Sequence, residues 1–236
     1  MRATVRALLR LILLLTPVVI ITGAFWFGLV PQRLSPFAPI ELNQPENWFV
    51  DPRLAALRHD PQLCRAVLIA PTIDATPITD DPVKNGCGWT NAVRLATAGS
   101  AKLSSDKISC ELAAALALWI EHEVQPAAQK HLGQHVKSLQ SFGTYACRNI
   151  VGNRALINVK SQHATANAID ITGFTLADSS QITIAKNWTA STASAAFLHD
   201  IHDRSCRYFR ASLSPDFNAA HHDHFHLDRG PLWRCK

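Results

Sequence analysis

The chain has no C-x-x-C pair and no G-x-S-x-G stretch, which removes the zinc ribbon and the serine-hydrolase elbow from consideration. Internal repeats and low-complexity tracts are also missing, so neither a solenoid nor a disordered array is indicated. Strong net charge is lacking too. The formal value is +5, and without Arg2, Arg6 and Arg10 the balance is 20 basic against 18 acidic residues, which is no nucleic-acid signature.

What is present begins with compartment. The first ten residues carry three arginines and no acid, and Leu11 to Val30 form an uncharged run long enough to cross a hydrocarbon core as a helix. Trp26 and Phe27 stand where a cleaved signal peptide would have a small-x-small site, so the segment reads as an uncleaved anchor rather than a removed signal. Arginines on the inner side place the rest of the chain outside, facing the periplasm or the cell exterior. Residues 31–48 hold four prolines without apolar periodicity and read as an extended tether. Residues 49–236 then suit one domain with a sizeable core.

Six cysteines in an exported chain imply up to three disulfides. Among the fifteen connectivities open to six cysteines, proximity favours Cys64 with Cys87, Cys110 with Cys147, and Cys206 with Cys235.

Within the domain, "DPRLAALRHDPQLCRAVLIA" and "SCELAAALALWIEHEV" show helical spacing, with Asp51-Pro52 and Ser109 as starts. Pro126 predicts a kink or restart, and Gly133 an end before a strand around "HVKSLQSF". "NAIDITGFTL" and "QITIAKNW", separated by "ADSS", read as a hairpin. "TASTASAAFLHDIHDRSCRYF" reads as a helix and the terminal "HHDHFHLDRG" as a strand. Helices first and hairpin-connected strands later predict an α+β domain: a helical N-terminal half packed on a small antiparallel sheet that carries a metal site, preceded by one transmembrane helix.

The histidine cluster near the C-terminus carries the chemistry. In a strand His222, His224 and His226 share one face while Phe225 and Leu227 hold the core; a solvated polar face is the competing reading. Upstream, "SQHATANAIDI" sets Asp170 between Ile169 and Ile171, where a half-buried carboxylate needs a partner that a cation can supply. His163 lies seven positions earlier and therefore reaches the same place only from a turn formed by "ATAN". His199 and His202, three apart on a helix, form a second but unsupported pair, and the consecutive Glu121, His122 and Glu123 read as a solvated end. Trp89, Trp188 and Tyr145 are groove or core aromatics.

"S-x-H-x6-D" followed by "H-x-H" resembles the zinc D-Ala-D-Ala carboxypeptidase, lysostaphin and sonic hedgehog group of metal domains. "NGCGW", "YACRNI", "SQHATANAIDITGF", "FLHDIHDRSCRYF" and "HHDHFHLD" are similar more closely to the bacterial extensin-like C-terminal family, placed with those peptidases, over most of residues 60–235. The resemblance implies His163, Asp170 and His226 as ligands of a Zn2+ cofactor with an open fourth position, and His224 as the adjacent base. It further implies Arg148 as a residue that engages substrate carboxylate or carbonyl, with an ordinary surface ion pair as the alternative. Ser161 either bonds the site or serves the turn, and Asp228 or Asp223 would fix an imidazole tautomer. One departure is Ala166, where the peptidase pattern commonly has glycine.

The implied activity is zinc-dependent hydrolysis of peptidoglycan stem or cross-link peptides at the cell envelope; a non-catalytic wall-binding zinc module is the alternative. "YACRN" also resembles the cysteine-arginine core of L,D-transpeptidases, with Cys147 as nucleophile. Tyr145-Ala146 replaces the expected histidine-glycine pair there.

Overall fold

The computed structural model describes residues 2–45, 48–152 and 154–236. Helix α1, Arg2–Trp26, includes an 18-residue window from Leu9 to Trp26 with mean hydropathy 2.0, none of it buried. Thr16 and Thr22 donate their hydroxyls to the carbonyls of Ile12 and Val18, so the helix satisfies them internally, as an apolar surrounding demands. By length and composition α1 can cross a membrane, either as an anchor or as a signal sequence.

The proline-rich stretch does not hang free along its whole length. Ile40 and Leu42 are buried in the core, and the nearly inaccessible Arg53 donates to the carbonyls of Ala38, Pro39 and Trp48. Apolar side chains on the far side of the prolines therefore join the domain.

Helices α2, Val50–Ala56, and α3, Pro61–Val67, replace the single helix expected there. Asp60 caps α3 by accepting from the amides of Gln62 and Leu63, and Pro61 sets the first turn. Strands follow: β1 Ile73–Pro77, β2 Asp81–Lys84, β3 Cys87–Trp89, β4 Ala92–Ala98 and β5 Ala101–Ser109. Helix α4, Cys110–Trp119, starts from the Ser109 cap and is buried at every position. It continues through a π-helical turn, Ile120–Val124, into α5, Gln125–Leu132. Pro126 lacks an amide hydrogen at that junction, which accounts for the widened turn just before it. Gly99 presses on this turn: a Cβ there would lie 2.5 Å from the Glu121 nitrogen. Gly133, at φ 66, ends α5.

Strand β6, Val136–Gly143, pairs antiparallel with β7, Ala168–Leu176, and β7 with β8, Gln181–Thr183, as the expected hairpin, except that its second arm stops at Thr183 and "IAKN" is helical. Short helix α6, Ile184–Asn187, and α7, Ala193–Ser205, come next. The chain closes with β9 Ala211–Leu213, β10 Phe225–Asp228 and β11 Arg234–Cys235. One nine-stranded sheet runs β1-β4-β5-β6-β7-β10-β9-β11 with β8 also on β7; β2 and β3 pair separately.

The α+β class holds, but two of its details do not. Five strands precede α4, so the N-terminal half is not simply helical, and the sheet is large and mixed, with parallel β5–β6 and β9–β11 contacts. Strands β4 and β5 escape periodicity because "NAVRLATAGSAKLSSDKIS" is rich in alanine, serine and lysine; their order comes from packing against α4.

Disulfides join Cys64–Cys110, Cys87–Cys147 and Cys206–Cys235. Only the last matches sequence proximity. Cys64 on α3 meets Cys110 because α3 packs on the start of α4, and Cys87 on β3 meets Cys147 across the fold at a Cα separation of 5.5 Å. Cys147 is thus no free nucleophile, which removes the transpeptidase reading.

Candidate metal centre

The β7–β10 register builds most of the site. Asp170 stands directly opposite His226, while Ile171 faces Phe225 and Ile169 faces Leu227 across the same pair. These four apolar side chains are fully buried in the core. Alternation then leaves Asp170 and His226 together on the opposite face. His163 arrives from a 3-10 turn, Gln162–Thr165, whose Ser161 cap accepts from the His163 amide at 3.3 Å. Ala166 closes that turn at φ 53, so an alanine adopts the left-handed conformation where the peptidase pattern has glycine.

The three side chains converge. His163 Nε2 lies 3.1 Å and His226 Nδ1 2.9 Å from Asp170 Oδ1, and the two ring nitrogens are 3.3 Å apart. All three candidate ligand atoms fall within 4.8 Å of one another. A tetrahedral zinc with bonds of about 2.0–2.1 Å needs ligand atoms roughly 3.3 Å apart, so this donor set fits.

The far side of each ring is also held. Thr144 offers its carbonyl 3.2 Å from His163 Nδ1, and Asp228 its carboxylate 3.0 Å from His226 Nε2. His224 Nδ1 lies 2.8 Å from Asp223 Oδ1, which turns Nε2 towards Asp170 Oδ1 at 3.6 Å. Asp228 is itself fixed by the Gly230 amide, and the next residue, Arg229, is buried against Glu111 at 2.8 Å and Asp51 at 2.8 Å.

The buried carboxylate and the imidazoles perturb one another. Burial would raise the Asp170 pKa, yet hydrogen bonds and charge from His163 and His226 hold it well below the carboxylate range. Burial would lower the His226 pKa, but bonds to Asp170 and Asp228 push it up to about 9. Arg148 Nη2 stands 3.7 Å from Asp170 Oδ2 and is partly exposed.

His222 does not belong to the site. The strand begins only at Phe225, and residues 219–221 form a 3-10 turn capped by Asn218, so alternation does not extend back and His222 points to solvent. His221 enters instead, with ring centroids 5.2 Å from His224 and 5.8 Å from His226. Its Nδ1 lies 2.8 Å from Asn218 Oδ1. Burial first, then charge on His226 and His224, lowers its pKa to about 4, which keeps the ring neutral. The cue was Asn218 before "AAH", a capping residue that starts a turn.

His199 and His202 are not ligands. His199 Nε2 meets the Trp188 carbonyl, and His202 packs in the core on Trp188 and Phe225, where burial lowers its pKa. Trp188 is a core residue, whereas Trp89 and Tyr145 form an edge-to-face pair beneath Lys107. Glu121, His122 and Glu123 each find a partner: the Ser100 hydroxyl, the Leu42 carbonyl and the Tyr208 hydroxyl.

Asp170, His221, His224 and His226 line a cleft of about 390 Å³, with His163 buried behind them. Ile150, Leu156 and Val159 line it on one stretch of chain, and Leu213, Phe217 and Trp233 on others, with Arg148, Lys160 and Arg234 adding positive charge.

The sequence model described as "Extensin-like protein C-terminus" matches residues 62–236, which include every site residue above. No curated protein and no solved structure matched the chain.

Proposed function

We propose, for a chain that belongs to the extensin-like protein C-terminal family, zinc-dependent hydrolysis of peptide bonds in peptidoglycan stem or cross-link peptides, carried out by a domain anchored outside the membrane by α1. The observation that carries this reading is the meeting of His163, Asp170 and His226, the last two of which line a cleft, beside the imidazole of His224. His163, Asp170 and His226 would hold the ion. Zinc bound there supplies Lewis acidity, polarising a carbonyl oxygen and acidifying water.

The remaining steps belong to side chains. Thr144 and Asp228 accept from the outer ring nitrogens of His163 and His226 and so present the inner ones as donors of electron pairs. Asp223 keeps the proton of His224 on Nδ1, leaving Nε2 to take a proton from water and return it to the leaving amine. Asn218 orients His221 in the same way, as a neutral hydrogen-bonding group in the cleft. Arg148 offers a fixed cation to a carbonyl or a terminal carboxylate of the substrate. The apolar walls exclude water from the bond under attack.

Mass analysis of muropeptides after incubation of the zinc-loaded protein with purified sacculi tests the reading. Release of new peptide termini that stops in His224→Ala while zinc is retained is the expected result. Binding of sacculi that survives His224→Ala, with no peptide product from any wall type, would replace the hydrolase by a wall-binding module.

A further inference from the structure

Large apolar side chains are exposed at many places beyond α1, and three of them, aromatic and near the anchor in sequence, share one support. Phe37 is 88%, Trp48 60% and Phe49 49% accessible. All three are tied to one node. Arg53, 2% accessible, donates to the carbonyls of Ala38, Pro39 and Trp48, which brings the residue after Phe37 and the residue before Phe49 to a single guanidinium. Ile40 and Leu42 enter the core just beyond, and the Leu42 carbonyl meets His122, so the node cannot swing away from the domain.

Phe49 adds a second observation. Its φ of 55 is left-handed, a conformation that is unfavourable for a bulky residue. The ring is nonetheless half exposed, so core packing does not offset that cost fully. Three outward aromatics on a locked frame form a surface that water does not favour.

Chain length indicates what covers it. Trp26 ends α1, and Phe37 follows eleven residues later; fully extended, that span reaches no more than roughly 40 Å. Gln32–Leu34 is helical, which shortens it further. If α1 lies in a bilayer, the node is confined near that bilayer's surface, where tryptophan and other aromatic rings partition favourably.

We propose that Phe37, Trp48 and Phe49 form a membrane-contact surface that seats the domain on the lipid interface and sets the orientation of its cleft relative to the bilayer. This rests on α1 being a retained anchor, and on no part of the hydrolase reading.

The test uses the full chain in vesicles of phosphatidylethanolamine and phosphatidylglycerol whose acyl chains are brominated near the headgroup. Wild-type protein is expected to lose more tryptophan emission to the bromines than Trp48→Phe, with the remaining, Trp26-containing signal still quenched. Phe37→Gln combined with Phe49→Asn, where asparagine tolerates the left-handed backbone, should reduce quenching of Trp48 and leave the thermal midpoint of the domain unchanged. Equal quenching of wild type and Trp48→Phe, with Trp48 open to aqueous iodide, would overturn the contact while leaving the anchor intact. Release of the chain by alkaline carbonate would overturn the anchor, and this inference with it.

Discussion

His226 and Asp170 occupy directly opposed positions of the antiparallel β7–β10 pair, with Nδ1 2.9 Å from Oδ1. Two residues separated by 56 positions are thereby joined by backbone register alone, and the opposed pairs on either side, Ile171 with Phe225 and Ile169 with Leu227, fix that register through the core. A slip of one residue would send the carboxylate and imidazole into apolar packing. Site and core therefore stand or fall together.

His221 and His222 should behave oppositely. His221→Ala is expected to lower peptide release from sacculi, because its ring packs against those of His224 and His226. The exposed His222→Ala should leave it unchanged. Comparable loss in both would mean that the 3-10 turn at 219–221 is not where His221 gains its place.

Arg229 and Glu111 form a buried pair at 2.8 Å, both about 1% accessible. Arg229→Met leaves Glu111 with Arg58 as its remaining partner and should cost about 3–5 kcal/mol in urea unfolding. Because Arg229 adjoins Asp228, the partner of His226, zinc uptake should weaken in the same variant.

The cysteine pairing is directly checkable. Non-reduced peptide mapping should return Cys64–Cys110, Cys87–Cys147 and Cys206–Cys235. Replacing both Cys64 and Cys110 by serine removes a link spanning 46 residues, and it should cost about 2–4 kcal/mol.

Asp200 governs an acid-side dependence away from the site. Its hydrogen bond from Arg204, with further bonds from His131 and Lys130, holds its pKa below the usual range despite partial burial. The native state therefore binds its proton less readily than the unfolded chain. That stability is complete well above the unfolded carboxylate pKa of about 3.9 and is lost as pH falls through it towards the lower native value. Asp200→Asn should reduce stability by up to about 1 kcal/mol at neutral pH, and the gap from wild type should close on acidification. A gap that is constant with pH would assign the effect to packing.

Much of this was legible in the residues. Apolar flanks around Asp170 and His226 marked both as strand positions with a buried partner, and "ATAN" marked the turn that His163 needs. Ser109, Pro126 and Gly133 announced the start, the interruption and the end of α4–α5. The β4 and β5 strands were not legible, because their alanine and serine content favours no strand until α4 packs on them, and β1–β3 are too short to show alternation. Proximity identified Cys206–Cys235 but not the other two disulfides, since Cys87 and Cys147 meet only once the sheet has assembled. His221 was hidden by treating the whole histidine run as one strand, whereas Asn218 starts a turn that rotates His222 out and His221 in.

The account depends most on a single ion held jointly by three side chains. Equilibrium zinc titration of the full chain in detergent micelles, read by metal content after gel filtration, tests this directly. One zinc per chain is predicted for wild type and for His222→Ala, with loss of at least about 10-fold in affinity, roughly 1.4 kcal/mol, in each of His163→Ala, Asp170→Ala and His226→Ala. Stoichiometric zinc that survives Asp170→Ala with unchanged affinity would contradict the shared site.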